Sequence, residues 1–178
     1  MADGTLKVGT ITTSSGSGTI TLGQSGETIN VSGTAGTGFG KILQVVNTTG
    51  TTQRTTNSTS FTGPAYSVSI TPSSTSSKIL IMFTSFGYQD TTGVGSIYTI
   101  YRDSTNLGDS SKGVFMFRNG GSNLEYGMSA QVFDSPSTTS AISYGLYQKI
   151  ESGSSAISYI SRSSGPTYLT AMEIAGWL

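Results

Sequence analysis

The chain has 178 residues, among them 31 Ser, 28 Thr and 24 Gly; only 10% of its residues are charged, against about 25% in average proteins. Nine basic and nine acidic residues cancel, which gives no indication of binding to nucleic acid or to an anionic membrane. Cysteine and histidine are absent, which excludes disulfides, thiolate and imidazole metal sites and histidine catalysis, and no apolar run approaches the ~18 residues of a membrane-spanning helix.

Residues 1–40 predict a thin β stalk or anchor. A nine-residue repeat runs through residues 5–31, and its strand-like cores are Thr10–Thr12, Thr19–Thr21 and Thr28–Asn30. About two apolar side chains per unit cannot offset the entropy of ordering nine residues, so the segment needs copies of itself or another protein as partner. The candidate anchor residues are Ile11, Ile20 and Ile29. A calcium-binding β-roll needs an Asp in each turn, whereas Glu27 is the one carboxylate of this stretch.

Residues 41–178 predict a β-sandwich. The Gly-rich segment 33–40 is typical of a flexible hinge and places a domain boundary near residue 40. Beyond it, apolar and polar residues alternate with period two in short stretches separated by turn residues, as in sandwiches and barrels. The predicted strands are Lys41–Asn47, Tyr66–Ile70, Ile79–Phe83, Ser96–Arg102, Asn123–Phe133, Ala141–Ile150, Ala156–Ser161 and Tyr168–Ile174. Gly127 could break one of them, and residues 47–62 form either a long loop or an irregular edge strand.

Two of these strands carry most of the information about packing. In Ala141–Ile150 one face carries Ile142, Tyr144, Leu146, Gln148 and Ile150, which predicts the core-facing side. Ile79–Phe83 is instead apolar at five consecutive positions, and a sandwich buries only one face of each strand. The run therefore predicts burial on both faces, either by a second copy of the chain or by loops of the same chain.

Several segments share patterns of short strands and turns with a known group of proteins. These segments are Lys7–Thr13, Gly18–Thr21, Ser69–Ile81, Tyr101–Gly108 and Tyr168–Gly176. Together they resemble fibre-like virion proteins of tailed bacteriophages, particularly of marine phages. The resemblance implies a structural protein on the exterior of a phage tail or capsid, made in the host cytoplasm and attached to other virion proteins through residues 1–40.

The order of strands from Tyr66 onward also resembles the jelly roll of complement-type and tumour-necrosis-factor-like domains. This resemblance implies a homotrimer whose first and last strands lie near the threefold axis. The implied interface residues are Ile79, Ile81, Phe83, Leu169, Met172 and Ile174. The sequence departs from that pattern by continuing past the last strand with Gly176-Trp177-Leu178.

The residues that could carry chemistry do not form a catalytic pattern. The serines lack both a histidine base and a Gly-x-Ser-x-Gly turn, and no phosphate-binding loop motif is present. A glycan hydrolase needs two carboxylates about 5–10 Å apart, whereas the carboxylates here are scattered and fall mostly in predicted turns. Asp103, Asn106 and Asp109 are spaced by three, unlike EF-hand ligands, which favours a turn. We therefore expect no enzymatic activity and no cofactor.

Two aromatic-rich loops predict recognition of another surface. Gly87–Asp90 and Phe115–Asn119 combine rings with polar or charged neighbours, and Tyr and Arg are favoured contact residues. The candidate receptor contacts are Tyr88, Asp90, Phe117 and Arg118, although Phe115 and Phe117 could instead belong to the core. The predicted function is that of a tail-fibre-like protein contacting a host glycan or protein. A capsid decoration or head-fibre protein is the alternative, and a glycan-cleaving enzyme is a third possibility.

Overall fold

The computed structural model describes residues 42–118, 120–121, 123–153 and 156–175. This part of the chain consists of β-strands joined by turns, with one short 3₁₀ turn at Arg162–Ser164. The strands are β1 (Ile42–Gly50), β2 (Arg54–Thr56), β3 (Thr62–Ile70), β4 (Lys78–Gln89), β5 (Gly95–Arg102), β6 (Thr105–Asn106), β7 (Phe115–Arg118), β8 (Leu124–Asp134), β9 (Ile142–Ile150), β10 (Ser158–Ile160) and β11 (Thr167–Ile174). Among the residues described, no helix is both long enough and apolar enough to cross a membrane.

The strands form two antiparallel sheets. In the first sheet β4 is central: β8 pairs along one of its edges, and β11 and then β10 pair along the other, with β1 beyond β11 and β2 beyond β10. The second sheet has the order β3-β9-β5, and β6 and β7 both pair with the far edge of β5. The chain changes sheet at each step of β2–β3–β4–β5 and again at each step of β7–β8–β9–β10, which is the jelly-roll arrangement. The predicted all-β jelly-roll sandwich is confirmed.

The core lies between the two sheets and takes alternate residues from each strand. Its fully buried aliphatic and aromatic side chains include Ile79, Ile81, Phe83, Tyr98, Ile100, Tyr144, Leu146, Leu169 and Ala171. The face predicted for residues 141–150 is confirmed, because every apolar side chain assigned to it is buried and Gln148 is buried with them. The period-two pattern predicts the buried face correctly here because one face of each strand packs against the opposite sheet.

Several predicted strands differ from the observed ones in extent. Gly127 does not break β8, since it pairs in register with Phe86. The polar run 47–62 is part strand and part loop: β1 continues to Gly50, and β2 is a three-residue edge strand on β10. The predicted strand 156–161 shrinks to Ser158–Ile160, because Ser161 takes a left-handed backbone conformation with φ of 55°. The predicted boundary near residue 40 and the anchor residues Ile11, Ile20 and Ile29 lie outside the described residues.

The apolar run Ile79–Phe83 obeys ordinary strand alternation. Ile79, Ile81 and Phe83 point into the sandwich and are 0–1% exposed, so the chain's own second sheet covers them. Leu80 and Met82 point outward and are half-buried. Of the two faces of this run, only the outward one therefore remains for a partner to cover.

Candidate recognition surfaces

All four predicted receptor contacts lie at one end of the sandwich. At this end β4, β7 and β9 finish and β5, β8 and β10 begin, as shown by the pairs Gln89–Leu124, Gly95–Arg118 and Ser96–Ile150. We call it the loop end. The structure thus brings together side chains that are up to 30 positions apart in the sequence, and it divides them between two sites.

The first site lies on the outward face of the first sheet, and we call it the Tyr88 cluster (Tyr88, Asn123, Glu125, Tyr159 and Arg162). Tyr88 pairs with Tyr159 on one side and with Glu125 on the other, so the three side chains form a row across β10, β4 and β8. The two rings meet edge to face with centroids 5.0 Å apart. The Tyr88 hydroxyl donates to Asn123 Oδ1 at 2.5 Å.

The Arg162 guanidinium covers both rings of the cluster. Its Cζ lies 4.2 Å from the centroid of Tyr88 and 5.1 Å from that of Tyr159, the geometry of a cation–π contact. Its Nε lies 3.5 Å from Glu125 Oε1, yet this buried atom makes no hydrogen bond among the described residues. Packing on aromatic faces, rather than hydrogen bonding, therefore accounts for most of the hold on this side chain.

The backbone that carries Arg162 is strained. Ser161, Ser163 and Ser164 have φ of 55°, 53° and 62°, a region that non-glycine residues rarely occupy. Such conformations cost about 1–3 kcal/mol each and persist only where the surroundings impose them. The Ser161 hydroxyl is fixed by Thr167 Oγ1 at 2.6 Å and by the Tyr66 hydroxyl at 3.0 Å.

The second site centres on Glu151, at the start of the loop after β9. The carboxylate is shared by the Arg118 guanidinium and, at 3.1 Å, by the Lys112 ammonium. The hydrogen bond from Lys112, joined by that from Arg118, holds the pKa of Glu151 below its usual range. The predicted contact residue Arg118 is thus exposed and charged, and it lies in a group with one net positive charge.

The other two predicted contacts support the loop end from within. Asp90 Oδ1 accepts hydrogen bonds from the Ile157 backbone N–H at 2.9 Å and from the Thr91 hydroxyl at 3.0 Å, which ties two loops together. The Phe117 ring stacks on Tyr126 with centroids 3.8 Å apart, and Phe117 is half-buried. Both side chains are used within the chain; of the four predicted contacts Arg118 is exposed, and Tyr88, Asp90 and Phe117 are half-buried.

A buried polar network makes the loop end rigid. The Tyr98 hydroxyl donates to the Tyr159 carbonyl at 2.9 Å, meets the Tyr126 hydroxyl at 2.6 Å and accepts from Ser158 Oγ at 3.1 Å. Burial raises the pKa of Tyr98, so the phenol stays neutral. Because both sheets contribute to this network, the strands that carry the Tyr88 cluster cannot shift independently of the second sheet.

A second candidate surface is the outward face of β1, β11, β4 and β8, which we call the outer face. Cross-strand neighbours form one continuous apolar row across it, Val45–Met172–Leu80–Phe133. Phe133 is 63% exposed and Val45 is 54% exposed. Beside the row lies an open groove of about 390 Å³ lined by Thr84, Ser129, Tyr168 and Thr170, among others.

The predicted trimer-interface residues fall on opposite sides of the first sheet. Ile79, Ile81, Phe83 and Leu169 are buried in the sandwich core, so their side chains cannot contact a second chain. Met172 and Ile174 lie on the outer face and are half-buried. Sequence reasoning did not single out Val45, Leu80 and Phe133, although all three lie in predicted strands; their outward direction follows from the alternation once the inward face of each strand is known.

The described carboxylates are engaged within the chain. Asp109 accepts the N–H groups of Ser111 and Lys112 in its own turn. Asp103 lies in the turn between β5 and β6 and accepts the Ser143 N–H of β9, whereas Asn106 ends β6 and accepts the Gly108 N–H. Asp134 binds Arg102 and the Tyr144 hydroxyl. Within the described ranges, no three acidic side chains come close enough together to hold a metal ion.

Comparison with known proteins gives little further information. The sequence matches no protein-family model and no curated protein sequence. Among solved structures, the fold is similar to a mutant VP2 protein of infectious bursal disease virus, from derived T=1 particles, with 16% identity and a TM-score of 0.37. The match covers 75% of this chain and 36% of that chain, so the chain spans about a third of the length of VP2. At this TM-score the likeness is too loose to support a statement about function.

Proposed function

We propose that the chain is a non-enzymatic structural protein of a virus particle, similar to a bacteriophage tail fibre, which contacts the host surface with the loop end. The observation that carries the proposal is that the first described residue and the predicted receptor contacts lie at opposite ends of the sandwich. The described chain begins at Ile42 beside Ile174 and Lys78, at one end of β4, whereas the loop end lies at the other. Eleven steps of about 3.3 Å separate these ends by about 36 Å, so the loop end and the first described residue lie at opposite ends of the sandwich.

A non-enzymatic role is supported by the way the acidic side chains are used. Each described carboxylate that could serve as an acid or base makes a hydrogen bond or ion pair within the chain. These residues are Asp90, Asp103, Asp109, Glu125, Asp134, Glu151 and Glu173. Together with the lack of histidine and cysteine, this favours binding over catalysis.

We further propose that the chain forms a homotrimer through the outer face. An apolar row on a sheet is stabilised by being covered, since fully burying a large apolar side chain contributes about 1.5–3 kcal/mol. The rows that contain Ile42, Val45, Asn47 and Thr49 include one charged residue, Lys78, whose ammonium donates to Ser135 Oγ. A second copy presents the same surface with this single charge, so few like charges oppose its approach. The proposed number of copies, three, is taken from the resemblance to trimeric jelly rolls.

Adsorption of particles that lack this protein tests the function. We expect such particles to remain intact but to bind poorly to the cells on which they are propagated, and added purified protein to compete with intact particles for those cells. Normal adsorption by fragile particles would contradict the proposal. Copy number separates the two attachment points: a few copies per particle indicate a tail fibre, and many indicate capsid decoration.

A further inference from the structure

The Tyr88 cluster combines an aromatic surface with three different polar groups. Tyr88 and Tyr159 supply the rings, Arg162 supplies guanidinium N–H groups, and Glu125 and Asn123 supply a carboxylate and a carboxamide. Ligand sites have this composition: an apolar surface with a small number of convergent polar groups that fix orientation. The Glu125 side chain is 60% exposed, so the cluster is accessible from solvent.

Most N–H donors of the Arg162 guanidinium make no hydrogen bond among the described residues. Within that part of the chain its one hydrogen bond is from Nη1 to Gln53 Oε1 at 3.5 Å, the limit of such an interaction. Its Nε is buried, so the donors left for a ligand are those of the two Nη groups. A guanidinium offers five N–H groups in a fixed plane. Cation–π packing on Tyr88 and Tyr159 sets that plane, so the remaining donors are oriented before any ligand arrives.

The strained backbone at Ser161, Ser163 and Ser164 indicates that the position of Arg162 over the two rings has a function. The segment between β10 and β11 interrupts what would otherwise be a continuous strand along β4, and it places Arg162 over the rings. Three non-glycine residues in this segment have positive φ, which is an energetic cost. Strain of this kind concentrates at ligand-binding and active sites.

Charge selects the class of ligand. Arg162 and Glu125 cancel, so the cluster has no net charge, and the exposed Glu125 carboxylate repels an anionic group. A guanidinium donor beside a carboxylate acceptor matches two neighbouring hydroxyl groups, each of which both accepts and donates. Tyr88 and Tyr159 are half-buried, and the parts of their rings that Arg162 leaves uncovered offer apolar surface to the C–H face of a sugar. We propose that the Tyr88 cluster binds a neutral carbohydrate, with Arg162 donating to one hydroxyl of a vicinal pair and Glu125 accepting from the other.

This inference rests on the proposed surface-binding function and names its ligand class. The probes are immobilised uncharged oligosaccharides of glucose, galactose and mannose, with oligogalacturonate as the acidic probe, and binding of the full chain is measured by interferometry. We expect at least one neutral probe to bind, Arg162→Gln to weaken that binding at least tenfold, and the control Arg54→Gln to change it less than twofold. Arg54 is a suitable control because it is an exposed arginine of β2 that belongs to neither site of the loop end.

A second variant keeps the test decisive if Arg162→Gln lowers the melting temperature. Glu125→Gln removes only the charge of an exposed side chain, and we expect it to weaken neutral-probe binding as well. Unchanged binding in both variants would overturn the inference, as would binding of the acidic probe alone with dependence on Arg118. If the protein binds host cells but none of the neutral probes, the inference fails while the proposed function stands. If it binds the neutral probes but not the cells, the proposed function fails instead.

Discussion

Glu173 on β11 is a buried carboxylate that organises the serine-rich segment before β4. Its side chain is 1% exposed. Oε1 accepts from the Ser73 N–H and hydroxyl, both at 2.7 Å, and from the Ser77 hydroxyl at 2.6 Å, while Oε2 accepts from Gln44 Nε2 at 2.6 Å. A buried charge is tolerated only when it is fully hydrogen-bonded. These bonds therefore tie β1 and the 71–77 segment to the last strand.

Replacing this carboxylate should destabilise the fold. In Glu173→Gln an amide N–H₂ group takes the place of one charged acceptor, so at least one donor loses its partner. We expect the free energy of unfolding in urea to fall by about 2 kcal/mol, because hydrogen bonds to charged groups contribute about 1.5–3 kcal/mol each. The matched control is Glu151→Gln, which weakens two ion pairs to the exposed side chains of Lys112 and Arg118 and should cost less, about 1 kcal/mol. Equal effects in the two variants would contradict the structural role of Glu173.

The same residue makes stability depend on pH. Burial alone would raise the pKa of Glu173, but hydrogen bonds from Ser77, Gln44 and Ser73 outweigh it and hold the pKa below its ordinary value of 4.5. Because the folded pKa is the lower one, the stabilisation is complete above the unfolded pKa and disappears as pH falls through the folded value. Wild type should therefore lose more stability than Glu173→Gln between about pH 6 and pH 3; parallel pH profiles would contradict this.

At the scale of elements, β4 organises the first sheet. It pairs with β8 along its whole length and with β11 and β10 in turn along its other edge. Its inward side chains, such as Ile81 and Phe83, lie in the centre of the core. Loss of packing on this strand should therefore weaken both sheets together.

Truncating a core residue of β4 tests this arrangement. Ile81→Ala should lower the free energy of unfolding by about 2–5 kcal/mol, the usual range for a buried aliphatic residue whose truncation leaves a cavity. Leu124→Ala is the control, because Leu124 is an apolar residue of the same sheet that is 44% exposed. We expect the control to lose less than about 1 kcal/mol. Similar losses in both variants would contradict the assignment of Ile81 to the core.

The strands were predictable from sequence because alternation directly reflects which face is buried. Residues 141–150 are the clearest example, since their pattern fixed both the strand and its inward face. The run Ile79–Phe83 shows the limit of this reasoning. Five consecutive apolar residues indicate that both faces of the strand are apolar. Which of the two faces the second sheet covers, that of Ile79, Ile81 and Phe83, is known only from the fold.

The Tyr88 cluster was only partly predictable. Tyr88 lies in an aromatic loop that sequence reasoning selected, but Arg162 reaches it through a backbone turn built on serines with positive φ. Glycine is the residue that normally signals such a turn, so Ser161–Ser164 gives no local sign of it. The role of Glu173 was hidden for a related reason, since its partners lie about 100 and 129 positions away in the chain.

At the scale of the whole molecule, the sandwich presents two surfaces with different properties. The apolar row of the outer face lies near the end where the described chain begins, and the Tyr88 cluster lies about eight residues farther along β4, roughly 26 Å away. The rows proposed for association end at Thr84, four residues or about 13 Å short of Tyr88, so association through them leaves the Tyr88 cluster accessible. Three such clusters on one trimer would strengthen weak single contacts through multivalency.

The mass of the protein in solution, measured by light scattering across a concentration series, tests this arrangement most directly. The account predicts a trimer of 18.4 kDa chains, about 55 kDa. Phe133→Asp should reduce that mass to the monomer while retaining the β-sheet circular dichroism spectrum, because it places a charge in the apolar row. Leu124→Asp, outside the row, should leave the trimer intact. A wild-type protein that stays at 18.4 kDa at every concentration would contradict the account.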